Sequence, residues 1–384
     1  MNFDFGTAGR ILFGEGSSRA AVPAARAMGS RALLVTGRSS ERAQGLRASL
    51  ESGGVPTIAF SVESEPTVDL VRCGTALARQ KGADLVIAAG GGSAIDAGKA
   101  IAALLANPGD VLDYLEVVGR GQTLKEPSVP FIALPTTAGT GTEVTRNAVL
   151  ASPEHGVKAS LRSAHMLPRM AIIDPELTYE LPPAVTASTG LDALTQLIEP
   201  YVSSRANAMT DMFCVEGMRR AAGALVRAYE NGADREARRD MCLASLLGGL
   251  SLANAGLGAV HGFAAPVGGE FPAPHGAVCA ALLPHVIETN LRALRSRVPQ
   301  SPAIARYETV ARILTGDLQA AAEDAVGWVR IVCARLKIPP LGSYGITEAD
   351  VPDLVEKAAR ASSMKANPIV LETGELTGIL TAAL

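Results

Sequence analysis

Up to Leu181 the chain alternates short apolar or β-branched runs with helix-length segments, and this alternation restricts the fold more than any other feature. ALLVT (32–36), PTIAF (56–60), DLVIAA (84–89), FIALP (131–135) and AIIDPEL (171–177) read as strands. Between them lie an amphipathic stretch to about Ser52 and helical patterns from Thr67 to Lys81 and from Ser93 to about Asn107. Strands joined by helix-length connections form right-handed βαβ units and hence a mostly parallel sheet. Leu181-Pro182-Pro183 breaks the pattern. Beyond it the periods are helical at 184–203, 207–229, 234–254, 302–314 and 319–336, and Thr347 with Asp350 has capping-box spacing for a further helix. The expected architecture is an α/β domain of the nucleotide-binding type over 1–181 and an all-α domain over 182–384.

A chain of 384 residues suits two such cores. With 48% hydrophobic and 19% charged residues it can bury a large interior, which excludes a disordered chain. A net charge of -3 gives nucleic acid or an anionic membrane no electrostatic purchase. No apolar run reaches the length of about 18 residues that a membrane span needs. The opening MNFDFGTAGRILFGEG lacks the basic and apolar regions of an export signal, so a soluble cytoplasmic protein is expected. Cys73, Cys214, Cys242, Cys279 and Cys333 are widely spaced and odd in number, which predicts reduced, buried core thiols.

Two loops carry ligand-binding chemistry. In DLVIAAGGGSAIDAGKAIA an apolar strand runs into Gly90, Gly91 and Gly92, and Ser93 opens a helix. Without Cβ atoms the backbone can approach a ligand, and the helix dipole with its free N–H groups faces a diphosphate. Ser93 with Asp96 has capping-box spacing. The pattern is neither G-x-G-x-x-G nor a Walker loop, so a turn used only for packing remains an alternative. PTTAGTGTEVT (135–145) also follows a strand and offers the hydroxyls of Thr136, Thr137, Thr140 and Thr142. Two such loops at strand carboxyl ends point to one ligand crevice.

A third signal lies in the helical half. In GLDALTQLIEPY, Asp192, Gln196 and Glu199 fall at i, i+4 and i+7, on one helix face. His261 and His275, two of only five histidines, flank a Gly/Pro-rich connector that could turn both to one point. A carboxylate with two imidazoles is a ligand set for Fe(II) or Zn(II). The alternative is an N-terminal helix charge and two ordinary histidines.

GGGSAIDAGK, PTTAGTGTEVT, MLPRMAIIDPELT, GLDALTQLIE and HGFAAPVGGEFPAPHG, with the terminal FGTAGRILFGEG and KANP, together resemble the iron-containing (group III) alcohol dehydrogenases over essentially the whole chain. The resemblance implies a Rossmann-like N-terminal domain, a helical metal-binding domain with a cleft between them, and a homodimer. It implies that Gly91, Gly92, Ser93 and Asp96 cradle the diphosphate of NAD(P). Thr136, Thr137, Thr140 and Thr142 would line the adenine and ribose side, and Lys158 would reach the nicotinamide ribose. Asp192, Gln196, His261 and His275 would hold the divalent metal, Fe or Zn, with Asp192, His261 and His275 as the catalytic set. Phe263 and the 265–272 connector would border the substrate.

Two departures from the family pattern stand out. Gln196 occupies a usual histidine position, which implies a weaker site or a harder ion such as Mg(II) or Mn(II). Ala265 occupies another, which removes a proton relay. Where NAD-preferring relatives carry an Asp after the strand at 32–36, this chain has Gly37, Arg38, Ser39 and Ser40. A missing acid with an Arg and two hydroxyls favours the 2′-phosphate of NADP. The expected activity is hydride transfer between the cofactor and a small neutral alcohol, aldehyde or ketone. Rival readings are a metal-independent reductase like the maleylacetate reductases, a lyase like the dehydroquinate synthases, and an inert dinucleotide-binding protein.

Overall fold

The computed structural model describes residues 2–38, 40–179 and 181–384, without the side chains of 40–42. It divides into two compact units, one of Gly6–Thr137 and Gly141–Tyr179, the other of Met1–Phe5, Ala138–Thr140 and Glu180–Leu384.

In the first unit the described strands are β1 (Ile11–Phe13), β2 (Ala32–Gly37), β3 (Thr57–Val62), β4 (Leu85–Gly90), β5 (Phe131–Pro135), β6 (Asn147–Ser152), β7 (Val157–Arg162) and β8 (Met170–Ile173). Helices α1 (Ala21–Met28), α2 (Ser40–Ser52), α3 (Val68–Lys81), α4 (Gly92–Ala106) and the single turn α5 (Val111–Tyr114) connect them. Six strands form one parallel sheet in the order β1-β8-β5-β4-β2-β3. Leu33, Val35, Val86, Ala88 and Phe131 pack under α3 and α4. Ala32, Leu34, Leu85, Ile87 and Ile132 pack on the other face, under α1 and α2. With both faces covered, the central strands read as continuous apolar runs rather than as alternating ones. From β2 the chain proceeds outward to β3, and from β4 it proceeds the opposite way to β5. The order therefore reverses between β2 and β4, and a sheet of this kind binds ligands beyond the strand ends at that reversal.

Three details differ from expectation. The run 171–177 is a strand only to Ile173, because Asp174 turns the chain. Its carboxylate accepts from the backbone N–H groups of Gly16, Ser18 and Glu176 and caps a 3-10 turn at Pro175–Thr178. The Ser93–Asp96 capping box does not form. Helix α4 starts from Gly91 with no side-chain cap, and Asp96 bonds elsewhere. The antiparallel hairpin β6–β7 is the third, an addition to the expected strands. Its only apolar signal is Ala148 and Leu150 facing inward with Ala159 and Leu161, too short to stand out among polar neighbours.

The second unit is helical: α6 (Pro183–Val202), α7 (Ala208–Glu230), α8 (Arg235–Ala255), α9 (Ala259–Glu270), α10 (His275–Arg297), α11 (Pro302–Thr315), α12 (Ala322–Arg335), α13 (Val351–Arg360) and α14 (Thr373–Ala382). Pro183 starts α6 at a position where a missing N–H costs nothing. Every residue of α6 from Gly190 to Val202 is buried, between α7, α8, α10 and α11. A helix apolar all round is ordinary core. This one also buries Asp192, Thr195, Gln196 and Glu199, whose polar atoms then require partners.

The Gly/Pro-rich stretch expected as a connector is helical through Glu270, and only Phe271–Pro274 links α9 to α10. Packing of Val260, Phe263, Ala264 and Val267 overrides the break that Pro266 would otherwise make. In α10, Pro284 lacks the N–H that would pair with Ala280, and the thiol of Cys333 donates to that carbonyl instead. Cys214, Cys242 and Cys279 are buried as expected, whereas Cys333 is half-buried and Cys73 exposed. Among the described residues no single helix is long and apolar enough to cross a membrane.

Helix α10 begins directly on the backbone of α6. A Cβ on Gly276 would lie 2.4 Å from the carbonyl oxygen of Ser188. We expect Gly276→Ala to destabilise the protein by about 1–3 kcal/mol through overpacking, read by thermal or denaturant unfolding. An unchanged unfolding midpoint would show that the two helices can separate freely.

Candidate functional site

The buried polar face of α6 meets the first turns of α9 and α10. Asp192 Oδ1 lies 3.3 Å from His261 Nε2 and 3.8 Å from His275 Nε2. The structure thus brings together three of the four expected metal ligands, and Gln196 is one turn along on the same face. The sequence treated Cys279 only as core, yet its Sγ is 3.8 Å from His261 Nε2 and 3.7 Å from His275 Nε2. Asp192, His261, His275 and Cys279 each place a donor atom within 4.8 Å of the others.

Glu199 aims His261. Its Oε2 accepts from His261 Nδ1 at 2.6 Å and its Oε1 accepts from the backbone N–H of Val260 at 2.7 Å. With Nδ1 carrying the proton, the lone pair of Nε2 faces the cluster. The first N–H of α9, from Ala259, is taken by Asn367 Oδ1, so the helix start has partners from two remote segments. The sequence placed Glu199 on the right face but gave it no role. That signal was available only as helix spacing.

Two buried oxygens here, Asp192 Oδ1 and Gln196 Oε1, have no hydrogen-bond partner. Buried polar atoms are seldom left so, and a cation held at Asp192 Oδ1 would satisfy that carboxylate oxygen. Charge in the cluster points the same way. Burial alone would raise Asp192, but the adjacent imidazoles of His275 and His261 hold it below the usual carboxylate range. Burial would lower His275, yet Cys279 and Asp192 beside it push it up to about 9. His261 is likewise raised, against burial, by Cys279 and Glu199. Such a site retains protons, and a divalent ion would displace them. The donors present therefore fit a metal.

The loop residues lie at the reversal point of the sheet. Gly90 ends β4 against β2, where a Cβ would come within 3.1 Å of the Gly37 nitrogen. Helix α4 begins at Gly92, with Gly91 and Ser93 half-buried and no side chain over its first N–H groups. Thr136 N–H donates to Gly90 O, and Thr137 lies beside Gly91, 3.5 Å from where its Cβ would be. Thr140 belongs to the Ala138–Thr140 segment of the helical unit, where Gly139 abuts Thr189. Arg38 is exposed, Ser39 lies outside the described residues, and so does the side chain of Ser40.

Three residues expected at the cofactor have partners within the protein. Asp96 accepts from the Thr142 hydroxyl and from Val149 N–H, tying α4 to β6. Thr142 also receives Lys99, a fully buried ammonium that donates to Thr142 O, Thr145 Oγ1 and Asn147 O. Burial pushes Lys99 down to about 8, which leaves it mostly charged at neutral pH. Lys158 stands on β7 with its ammonium 3.3 Å from Glu65. Phe263, expected beside substrate, is fully buried in α9.

Comparison with known proteins follows the same division. A model described as iron-containing alcohol dehydrogenase matches residues 8–175, and one described as the C-terminal part of the Fe-containing alcohol dehydrogenase family matches 186–384. A 1,3-propanediol dehydrogenase of Klebsiella pneumoniae is 36% identical over 368 residues, 92% of each chain. An NAD-dependent methanol dehydrogenase of Bacillus methanolicus is 33% identical, over 91% of this chain and 89% of that one. The crystal structure of a 1,3-propanediol oxidoreductase superposes with a TM-score of 0.92 at 33% identity, covering both chains fully.

Because Glu199 fixes the tautomer of His261, we expect Glu199→Gln to weaken divalent-metal affinity by about 10–100-fold, measured by competition with a chelator. Equal affinity in the variant would mean that His261 is aimed by packing alone.

Proposed function

The chain belongs to the iron-containing alcohol dehydrogenase family, and from that premise we propose that it interconverts small neutral alcohols with aldehydes or ketones, using a nicotinamide dinucleotide and iron or zinc. The observation that carries this reading is the meeting of Asp192, His261 and His275 beside two buried oxygens that lack partners. When bound, the metal would polarise the substrate oxygen as a Lewis acid and the nicotinamide would carry the hydride.

The residues of the chain supply position and field. Asp192 Oδ1, His261 Nε2 and His275 Nε2 would hold the ion, and Glu199 keeps the His261 proton on Nδ1, away from it. Asp192 and His261 are almost wholly buried, which excludes water from that side, while His275 is about a third exposed. Among the described residues no Lys or Arg pairs with these three, which supports a neutral substrate over a phosphorylated one or a dicarboxylate. Gly91, Gly92 and Ser93 would receive the diphosphate on the uncapped start of α4. Thr137, next to Gly91, would add a hydroxyl.

For the dinucleotide we propose NADP over NAD. A Cβ on Gly37 would meet nothing within 4 Å, and position 37 itself carries no acid to repel a 2′-phosphate. Exposed Arg38 follows it. The NAD-dependent relative in Bacillus methanolicus supports the opposite preference. A charge-assisted Arg–phosphate contact contributes about 1.5–3 kcal/mol, so Arg38→Ala is expected to lower kcat/KM with NADPH roughly tenfold or more and leave NADH nearly unchanged. A wild-type preference for NADH would refute the choice.

Gln196 favours a second reading, a metal-independent reductase on the same fold. Oxidation of NADPH with short aldehydes, before and after chelation and add-back of Fe(II) or Zn(II), separates the two. We expect activity to disappear on chelation and return with the ion. Full activity in protein stripped of metal would establish the second reading.

A further inference from the structure

We propose that Cys279 Sγ, rather than Gln196 Oε1, is the fourth protein donor to the metal. The inference rests on the metal-dependent reading above and names a ligand of this chain.

Four of the six donor separations can be compared with the edges of a small tetrahedron. With Zn–N and Zn–O near 2.0 Å and Zn–S near 2.3 Å, tetrahedral edges are about 3.3 Å between N and O and about 3.5 Å between N and S. The structure has 3.3 Å from Asp192 Oδ1 to His261 Nε2, 3.8 Å from His261 Nε2 to Cys279 Sγ and 3.7 Å from His275 Nε2 to Cys279 Sγ. Asp192 Oδ1 to His275 Nε2 is likewise 3.8 Å, and His275 is the more exposed of the two imidazoles. Cys279 reaches this point because it follows His275 by four residues, one turn along the same face of α10. The thiol is fully buried, and it touches two imidazoles that themselves converge on a carboxylate oxygen with no partner. An ordinary core cysteine faces apolar side chains; this one faces three ligand groups.

Chemistry separates the two candidate donors. A Gln carbonyl is a neutral, hard oxygen and binds Fe(II) or Zn(II) weakly, whereas a thiolate is soft, charged and selective for them over Mg(II). Binding converts the Cys279 S–H to S⁻ with release of its proton, and no electron is transferred. Gln196 then stays one turn from Asp192 on the buried face of α6, outside the direct ligands. The hard-ion preference that Gln196 would otherwise impose is thereby reversed.

The test uses full-length protein stripped of metal and reconstituted with Co(II), alone and as Cys279→Ser, Gln196→Ala and Asp192→Ala. We expect the wild type to bind one equivalent with a near-ultraviolet thiolate-to-cobalt charge-transfer band. That band should persist in Gln196→Ala and vanish in Cys279→Ser while ligand-field bands remain. In the unaltered chain, bound Zn(II) should protect Cys279 from alkylation, read by peptide mass spectrometry, which covers the case in which a variant fails to fold. One equivalent of cobalt with no thiolate band, or a Cys279 alkylated equally with and without zinc, would overturn the proposal and leave the metal reading standing. No stoichiometric uptake by the wild type, with Asp192→Ala behaving identically, would overturn both.

Discussion

The carboxylate of Glu199 accepts simultaneously from the imidazole of His261 and from the backbone of Val260, and the helical unit is arranged around that pair of bonds. A buried carboxylate with one donor removed would be left largely unsolvated, so both donors are held in place. The backbone bond fixes where α9 begins, and the side-chain bond fixes the tautomer of the second residue beyond it. Gly258 has no Cβ for the same reason, since one would lie 2.9 Å from both Glu199 Oε1 and Asn367 Oδ1. Asn367 in turn exchanges hydrogen bonds with Asn290, which also reaches Tyr307. Segments from α6, α9, α10, α11 and the stretch near the C-terminus thus share one polar network, and His261 stands at its edge.

In the α/β unit a buried charge serves a different purpose. Lys99 resembles a phosphate-binding lysine by its distance from the glycine loop, yet its ammonium is spent on carbonyl and hydroxyl oxygens of residues 142–147. Asp96 is spent likewise on Thr142 and Val149. Both side chains leave α4 toward the hairpin and hold the second loop beside the first. A diphosphate bound at this helix start, as proposed, would then meet backbone: Gly91, Gly92 and the uncapped N–H groups behind them. A site built of main-chain dipoles needs rigid support more than it needs side-chain charge, and the Lys99–Asp96 pair provides that support.

What could be read from the sequence follows from the range of the interactions involved. Strand runs and helix periods are local, so β2, β4, β5 and helices α6, α7, α8 and α11 fall within a residue or two of expectation. Asp192, Gln196 and Glu199 were recognised as one face by spacing alone. The hairpin β6–β7 escaped because its inward residues are two pairs of small and medium apolar side chains that gain meaning only against α4. The motifs of Asp96 and Thr142 point to a cofactor, while the hydrogen bond between them, which joins positions 46 residues apart, leaves no trace in local spacing. Cys279 looked like core because burial and ligation leave the same trace in a single sequence. Only the placement of α10 on α6, permitted by Gly276, turns it toward two imidazoles.

Charge accounting shows what hangs on the choice between Gln196 and Cys279. A divalent ion held by Asp192, two neutral imidazoles and an amide keeps one net positive charge among its direct ligands. With a thiolate in place of the amide that charge falls to zero, which lowers the cost of burying the ion between α6 and α10. The gain has a limit, because a charged soft donor reduces the pull of the ion on a substrate oxygen. Glu199 acts in the same direction from one bond further out, by increasing the basicity of His261. A site so furnished is suited to retaining its metal firmly and polarising its substrate moderately. The remaining barrier must then be lowered by positioning of the reactants rather than by a stronger Lewis acid.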